Sequence, residues 1–323
     1  MSIKIAFGWF VNYFLHSSSK IGVCCMLIHD IVNYCNLEFN SKKMQHRCYD
    51  CNHPSHCPGN CKKCLEEVHY PSKHPNGKID YDCQTMIYFY VCDYINKYAS
   101  EMLYLIRRST KLENINNYHI LSIGCGAAPD LMAFEKYIIE NQSNKTIEYF
   151  GIDKNPLWKN IQTKITEYPS NIITNSNFMC TDVMEYLSSN SINSLNVIVF
   201  QYVISHFYNT NQIDLIGRFF TDIVNNVVAT KNLNEPLIIL INDANSCYRG
   251  RNYFMDLTNT LSKSGYHGTY MQFYFDYNIK HSCQRYGEMH LSNDVLFNLG
   301  EFDLQQYVPW DYCSSAQLLI EIE

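Results

Sequence analysis

The sequence predicts an α/β protein whose core is a doubly wound, mostly parallel sheet of seven strands with an antiparallel edge strand. After residue 115, short apolar segments alternate with segments of helical periodicity, which is the order of a parallel sheet with crossover helices. The segments 197–200 and 237–241 are uninterrupted apolar runs, as strands buried on both faces are. Strands are predicted at 119–124, 147–153, 196–201, 236–242, 269–275 and 316–322, with one more before Thr181, and helices at 130–140, 156–168, 212–228 and 252–264.

The last two predicted strands follow each other without a helical crossover, so they are expected to pair antiparallel at one edge of the sheet. Before the sheet, segment 84–108 carries apolar residues at steps of three and four, which is the period of an amphipathic helix. Asp82 is expected to cap its start. Its row of tyrosines is interpreted as core or interface. We therefore divide the chain into an N-terminal segment, 1–83, and a sheet domain, 84–323, that includes this leading helix.

Composition excludes several classes of protein. The 323 residues carry a net charge of −6 at pH 7, so the protein as a whole lacks the positive field that attracts nucleic acid. No apolar stretch, including residues 3–15, is long enough to span a bilayer, and no membrane partner is expected. The 15 cysteines are odd in number and many lie in apolar runs. This pattern favours reduced thiols and a cytoplasmic location.

A glycine turn follows the first predicted strand and opens a helix. The turn is Gly124-Cys-Gly126, and glycine lets a backbone approach a ligand closely. The second strand ends at Asp153, where a carboxylate can accept both hydroxyls of a ribose. After the third strand comes Asp182-Val183. There a carboxylate can accept the exocyclic amine of an adenine while the backbone of Val183 satisfies the ring.

This ordered series resembles the class I S-adenosylmethionine-dependent methyltransferases, which have a Rossmann-like fold. The resemblance covers about residues 84–323. It implies that the cofactor is S-adenosylmethionine, that the glycine turn surrounds its methionine part, that Asp153 holds its ribose, and that Asp182 with Val183 contacts its adenine. The cofactor-binding residues that it implies are Gly124, Cys125, Gly126, Ala127, Asp153, Lys154, Asp182, Val183 and Gln201.

Two positions depart from the pattern of that family. Ser122 stands where many members carry an acidic residue, and Ala127 stands where a further glycine is common. A nicotinamide-binding domain would have a similar first turn, but its usual G-x-G-x-x-G spacing requires a third glycine where this chain has Pro129. The series as a whole therefore favours a methyltransferase.

The region after the fourth strand holds the candidate catalytic residues. The resemblance implies that Phe200-Gln201-Tyr202 faces both the cofactor sulfonium and the substrate. Methyl transfer needs an in-line approach of the acceptor, and a base only where the acceptor must lose a proton. We expect His206 to act as a base and Tyr202 or Tyr208 to orient the acceptor through its hydroxyl. This loop lacks the Asn-Pro-Pro-Tyr and Pro-Cys sequences of enzymes that methylate DNA bases, and the acceptor, a small molecule, RNA or protein, stays unidentified.

A dense group of five cysteines and three histidines lies between residues 46 and 64. The pairs Cys48/Cys51 and Cys61/Cys64 have the Cys-x-x-Cys spacing of a tetrahedral zinc site. An alternative set of four ligands is Cys57, Cys61, Cys64 and Cys83. A short polar segment buries too little apolar surface to fold alone, so metal binding is expected to supply its folding energy. The sequence therefore predicts a Cys-rich, zinc-binding module in the N-terminal segment. Its candidate metal ligands are Cys48, Cys51, Cys57, Cys61, Cys64 and Cys83.

Two other interpretations stay open. The spacing Cys57-x-x-x-Cys61-x-x-Cys64 also resembles the cluster-binding loop of radical S-adenosylmethionine enzymes, which would imply a [4Fe–4S] centre. A non-catalytic zinc-containing binding or scaffold protein with a methyltransferase-like shell would be favoured if Ser122 and Ala127 left the cofactor cleft closed. In either case, segment 42–78 has a local net charge of +4 and is a candidate surface for nucleic acid.

Overall fold

The computed structural model describes residues 26–44, 60–232, 234–246, 249–276 and 285–323. These ranges form an α/β fold around an eight-stranded sheet. The strands are β1 Asn117–Ile123, β2 Thr146–Asp153, β3 Ile173–Cys180, β4 Val197–Gln201, β5 Leu237–Ala244, β6 Gly268–Tyr274, β7 Glu288–Met289 and β8 Ser315–Ile322. The helices are α1 Leu27–Met44, α2 Cys61–His69, α3 Gln84–Ile106, α4 Pro129–Glu140, α5 Lys159–Thr166, α6 Val183–Ser189, α7 Ile204–Asn209, α8 Ile216–Asn226 and α9 Phe254–Lys263.

The strand order is β3-β2-β1-β4-β5-β8-β6-β7. Strands β1 to β5 are mutually parallel, and β8 runs antiparallel to both β5 and β6. The predicted antiparallel pairing of the last two long strands is therefore present. All seven predicted strands are present, and the two-residue β7 is an eighth. The predicted edge position of the antiparallel strand is wrong, because β8 lies inside the sheet and β7 occupies that edge. Every residue of β8 is buried. In its interior position, β8 has a strand on either side, whereas an edge position would leave a row of its backbone N–H and C=O groups unpaired.

The sheet is covered by apolar residues on both faces. Successive residues of β1 enter different cores: Ile120 packs into one apolar cluster with α1, α3, α4 and α5, whereas Leu121 packs into another with α8 and α9. The same alternation holds in β5, where Leu240 and Ile241 face opposite sides. A parallel sheet buried on two faces explains why its strands are continuous apolar runs in the sequence.

Helix α3 spans Gln84–Ile106, which agrees with the predicted segment 84–108. Its N-cap is Cys83 and not the predicted Asp82, whose carboxylate pairs with the Lys78 ammonium at 2.6 Å. From the predicted N-terminal segment, Leu27 of α1 and Leu65 of α2 share one apolar core with α3. The described helices include none that is both long enough and apolar enough to cross a membrane.

Candidate active site

A cleft opens where four neighbouring strands end. The last residues of β1, β2, β3 and β4 lie level with one another, so the loops that follow them meet at one edge of the sheet. The chain builds β2 and β3 on one side of β1 and then crosses to β4 on the other side. Ligands of doubly wound sheets bind in the crevice at such a switch point. The cleft has a volume of about 1240 Å³, including the solvent at its mouth.

The glycine turn after β1 is fixed to the neighbouring strand. The backbone N–H groups of Gly124 and Cys125 both donate to the carbonyl oxygen of Ile152, at 2.8 and 3.3 Å. Gly124 has φ +64°, and a Cβ there would lie 2.8 Å from Cγ2 of Val203, so its conformation and its surroundings both require glycine. Gly126 is also left-handed, with φ +50°. The turn therefore presents bare backbone to the cleft.

Asp153, the last residue of β2, holds the glycine turn through its side chain. Its Oδ2 accepts the backbone N–H of Gly126 at 3.0 Å, and its Oδ1 accepts that of Asn155 at 2.9 Å. A carboxylate has about four lone-pair sites, so two stay available to hydroxyl groups of a ligand. Burial raises the pKa of Asp153 to about 6, although the two N–H donors oppose the rise. This geometry suits a vicinal diol such as that of a ribose.

Asp182 and Val183 follow β3 and line the cleft. Asp182 is the N-cap of α6, and its Oδ1 accepts the backbone N–H groups of Met184 and Glu185 at 2.8 and 3.3 Å. Asp182 is exposed and Val183 is half-buried. One carboxylate oxygen thus serves the start of the helix, and Oδ2 is the oxygen that a ligand amine would reach.

Gln201, the last residue of β4, lines the cleft and carries a buried hydrogen-bond acceptor. Its Nε2 donates to the backbone carbonyl of Tyr98 in α3 at 2.7 Å, which fixes the orientation of the amide. Its Oε1 is shielded from solvent and has no hydrogen-bond partner among the described residues. A buried acceptor left in this state costs about 1–3 kcal/mol. A ligand that donates an N–H here, such as an ammonium group, would satisfy it.

All nine residues predicted to bind the cofactor line this cleft. Lys154 is exposed, and its Nζ lies 3.8 Å from Oδ2 of Asp80. Cys125 is buried, and burial raises the pKa of its thiol well above its usual range, so the thiol is neutral. The nine residues are Gly124, Cys125, Gly126, Ala127, Asp153, Lys154, Asp182, Val183 and Gln201.

An acidic residue that the sequence analysis missed lies beside Ser122. Asp130, the second residue of α4, is almost fully buried, and it lines the cleft together with Ser122. Its carboxylate accepts the hydroxyl of Tyr149 at 3.1 Å and a hydrogen bond from the Ser122 side chain. Burial raises the pKa of Asp130 to about 6, and these hydrogen bonds oppose the rise. The fold therefore puts an acidic group at the glycine turn although position 122 lacks one. The only signal in the sequence is an acid directly after Pro129, in the first turn of a helix.

Tyr202 stands at the end of β4 in a left-handed backbone conformation, with φ +57°. Such a conformation costs about 1–3 kcal/mol for a residue other than glycine and is often found at functional sites. The Tyr202 hydroxyl donates to Oε2 of Glu101 at 2.8 Å, and its ring centroid lies 4.4 Å from that of Tyr98. Burial and the Glu101 carboxylate raise the pKa of Tyr202 well above its usual range, so the phenol stays protonated.

His206 lies on α7 and lines the cleft, whereas Tyr208 is not among the residues that line it. Burial lowers the pKa of His206, the charge of Lys154 lowers it further, and Asp80 opposes both effects. The imidazole is therefore neutral at pH 7 and able to accept a proton. Of the three predicted catalytic residues, two lie in the cleft.

Tyrosines of α3 and of the segment before it form one side of the cleft. Tyr90 and Tyr94 also pack against the apolar core, in agreement with the prediction of core or interface. The Tyr90 ring centroid lies 5.3 Å from that of Tyr81 and 5.9 Å from that of Tyr98. The Asn155 side chain donates to the backbone carbonyl of Tyr81 at 2.6 Å and so ties this segment to the loop after β2. We refer to the four cleft-lining tyrosines Tyr81, Tyr90, Tyr98 and Tyr202 as the tyrosine wall.

Half of the predicted metal ligands fall outside the described residues, namely Cys48, Cys51 and Cys57. Cys61 and Cys64 stand at the start of α2, and Cys83 is the N-cap of α3. Within the part of the chain that the structure describes, no group of three or more His, Cys, Asp or Glu side chains is arranged to hold a metal ion. The zinc site and the alternative [4Fe–4S] centre therefore stay predictions.

Two solved structures to which this chain is similar are a methyltransferase described as S-adenosylmethionine-dependent and a methyltransferase bound to S-adenosylhomocysteine. One comes from Archaeoglobus fulgidus, with 13% identity and a TM-score of 0.39 over 69% of this chain and 95% of that chain. The other is the plantazolicin methyltransferase BpumL in complex with S-adenosylhomocysteine, with 13% identity and a TM-score of 0.41 over 93% of this chain and 96% of that chain. No protein-family model and no curated protein matches the chain.

Proposed function

We propose that this protein is an S-adenosylmethionine-dependent methyltransferase. The observation that carries the proposal is that the nine predicted cofactor-binding residues, which come from four separate parts of the sequence, all line one cleft. The bound cofactor would supply a methyl group on a positively charged sulfur. The acceptor atom would form the new bond to that methyl carbon, and the electron pair of the broken carbon–sulfur bond would stay on sulfur.

The polar groups of the cleft fit the three parts of this cofactor. Two lone-pair sites of Asp153 are available for the ribose hydroxyls, and Oδ2 of Asp182 is available for the adenine amine. The buried Oε1 of Gln201 needs a donor, and the methionine ammonium would provide one. Ala127 and Ser122 line the cleft without closing it. An open cleft favours the enzyme over a scaffold protein that retains only the shell of this fold.

Calorimetry with S-adenosylhomocysteine tests the proposal without knowledge of the acceptor. We expect saturable binding at one site, and mass spectrometry of the purified protein should detect co-purified S-adenosylmethionine or S-adenosylhomocysteine. Absence of binding to protein that melts cooperatively would overturn the proposal.

Asp130→Asn should weaken binding of S-adenosylhomocysteine by about tenfold or more, because hydrogen bonds to charged groups contribute about 1.5–3 kcal/mol. Asn keeps the size of the side chain and removes the acidic group at the glycine turn. Calorimetry measures the change. Ser122→Ala is the matched variant, and it should have a smaller effect because the Tyr149 hydroxyl still holds the Asp130 carboxylate. Equal affinity of Asp130→Asn and the unaltered protein would show that the Asp130 carboxylate does not contribute to cofactor binding.

The pKa of His206 should lie below its ordinary value of 6.5. NMR titration of histidine ring resonances, assigned by comparison with His206→Asn, measures it. Lys154→Gln should raise this pKa and Asp80→Asn should lower it further, since the Lys154 charge disfavours the imidazolium and the Asp80 charge favours it. Both shifts should stay below about one pH unit because solvent screens these exposed and half-exposed charges. A pKa at or above 6.5 would argue against a neutral base in the cleft.

A further inference from the structure

The cleft carries an excess of negative charge. Among the described residues that line it, four are aspartates, one is a lysine and none is an arginine. The lysine, Lys154, lies 3.8 Å from the carboxylate of Asp80. Three carboxylates are left without a cationic partner in the lining, namely Asp130, Asp153 and Asp182. A phosphate or carboxylate substrate would therefore enter a negative field and meet no fork of donors such as an arginine provides.

The aromatic rings of the cleft point to the same kind of ligand. The four rings of the tyrosine wall line the cleft, and the π-faces of aromatic rings attract cations. Negative charge and aromatic rings each favour a positively charged ligand over an anion.

Lys97 shows that these rings already hold an ammonium group. Its Nζ lies 5.3 Å from the ring centroid of Tyr98 and 5.6 Å from that of Tyr202, and a third ring, Trp310, is 4.7 Å away. Lys97 is buried, and Glu101 balances its charge at 3.7 Å. Lys97 is not among the cleft-lining residues, so it does not occupy the side of the rings that faces the cleft.

The order of the strands separates the two ligands of the cleft. Asp153 and Asp182 follow β2 and β3, on one side of the switch point, whereas Tyr202 and His206 follow β4 on the other side. The first side has the groups that suit a nucleoside. The second side, bounded by the tyrosine wall, is left for the acceptor.

We infer that the methyl acceptor is an amine that arrives as an ammonium ion, an inference that rests on the proposed methyltransferase function. The ammonium binds between the tyrosine wall and Asp80, sharing the Asp80 carboxylate with Lys154, and gives one proton to the imidazole of His206. The freed nitrogen lone pair forms the bond to the methyl carbon, while the electron pair of the carbon–sulfur bond stays on sulfur. The product is a methylammonium ion, and the proton leaves His206 to solvent.

Three probes of similar shape and different charge test this inference: benzylamine, benzyl alcohol and benzoate. Each is titrated by calorimetry or NMR into protein saturated with S-adenosylhomocysteine, so that the cofactor side is already filled. We expect benzylamine to bind at least tenfold more tightly than benzyl alcohol, and benzoate to bind most weakly. Equal affinities, a preference for benzoate, or no detectable binding of benzylamine would overturn the inference.

Two variants test whether the tyrosine wall and Asp80 cause the preference for benzylamine. Tyr202→Leu removes one ring of the tyrosine wall, and Asp80→Asn removes one negative charge from a half-exposed loop and leaves Lys154 unbalanced. Each should reduce the preference for benzylamine severalfold, while Tyr270→Leu, on the exposed face of β6, should leave it unchanged. An unchanged preference in folded Asp80→Asn would also overturn the inference. If S-adenosylhomocysteine itself does not bind, the proposed function fails; if it binds and the probes show no preference, only the amine acceptor fails.

Discussion

Asp153→Ala should reduce the affinity for S-adenosylhomocysteine by about 10²–10⁴-fold, to the limit of calorimetric detection. Two ribose hydroxyls donating to one carboxylate contribute about 1.5–3 kcal/mol each, which together correspond to that range. The substitution also removes the acceptor shared by the backbone N–H groups of Gly126 and Asn155. The glycine turn would lose its support at the same time as the ligand loses its acceptor.

The pH dependence of binding provides a second measurement on the same group. The pKa of Asp153 is raised to about 6, so the carboxylate becomes protonated as the pH falls through 6, and affinity should decline in that range. The raised pKa also means that the folded state holds this proton more tightly than the unfolded chain does. The ionised group therefore costs stability as the pH rises from about 4 to 6, and Asp153→Ala removes that cost at pH 7.5.

Asp256→Ala is the matched control for this prediction. Asp256 is an exposed aspartate on α9 and does not line the cleft. The Asp256→Ala protein should bind S-adenosylhomocysteine as the unaltered protein does, and both Asp153→Ala and Asp256→Ala should melt cooperatively. Retention of affinity in folded Asp153→Ala would contradict the assignment of Asp153 to the ribose.

The side of the cleft that holds Asp153 and Asp182 was predictable because these residues are determined by local position. In a parallel sheet, a residue directly after a strand lies at the carboxyl edge, and apolar runs locate the strand ends. Asp153 and Asp182 could therefore be assigned from sequence, and both line the cleft. Asp130 was missed because its position beside Ser122 depends on how α4 packs under the glycine turn. No spacing in the sequence encodes that packing.

The polar side of α3 was unpredictable for a related reason. Its apolar residues have helical period, and such a pattern ordinarily leaves the polar side to solvent. In the structure, Asn96, Lys97, Ser100 and Glu101 are also buried. The covering segment comes from far along the chain: Ser100 accepts the backbone N–H of Leu296, 196 residues later. A contact of such separation leaves no local signal in the sequence. The tyrosine wall and the burial of Lys97 and Glu101 could therefore not be predicted.

Glu101→Gln should lower the free energy of unfolding by about 3–5 kcal/mol, the usual cost of removing one partner of a buried ion pair. The Glu101 carboxylate is fully buried and is surrounded by donors. It accepts the Tyr202 hydroxyl at 2.8 Å, the Asn242 amide at 3.0 Å and the backbone N–H of Ser314 at 2.8 Å, and it lies 3.7 Å from Lys97. A glutamine would turn two N–H groups toward donors and leave the lysine charge uncompensated. Urea denaturation measures the loss.

A double-mutant cycle with Lys97→Met separates the charge from the hydrogen bonds. If the unpaired Lys97 ammonium is the main cost, then Lys97→Met combined with Glu101→Gln should be more stable than Glu101→Gln alone. The exposed Glu66→Gln of α2 is the control and should leave the denaturation midpoint unchanged. Additive effects of the two substitutions would instead assign the loss to the hydrogen bonds. In Glu101→Gln the Tyr202 hydroxyl loses its charged acceptor and has at most an amide oxygen in its place, so the tyrosine wall should bind benzylamine more weakly in Glu101→Gln than in the unaltered protein.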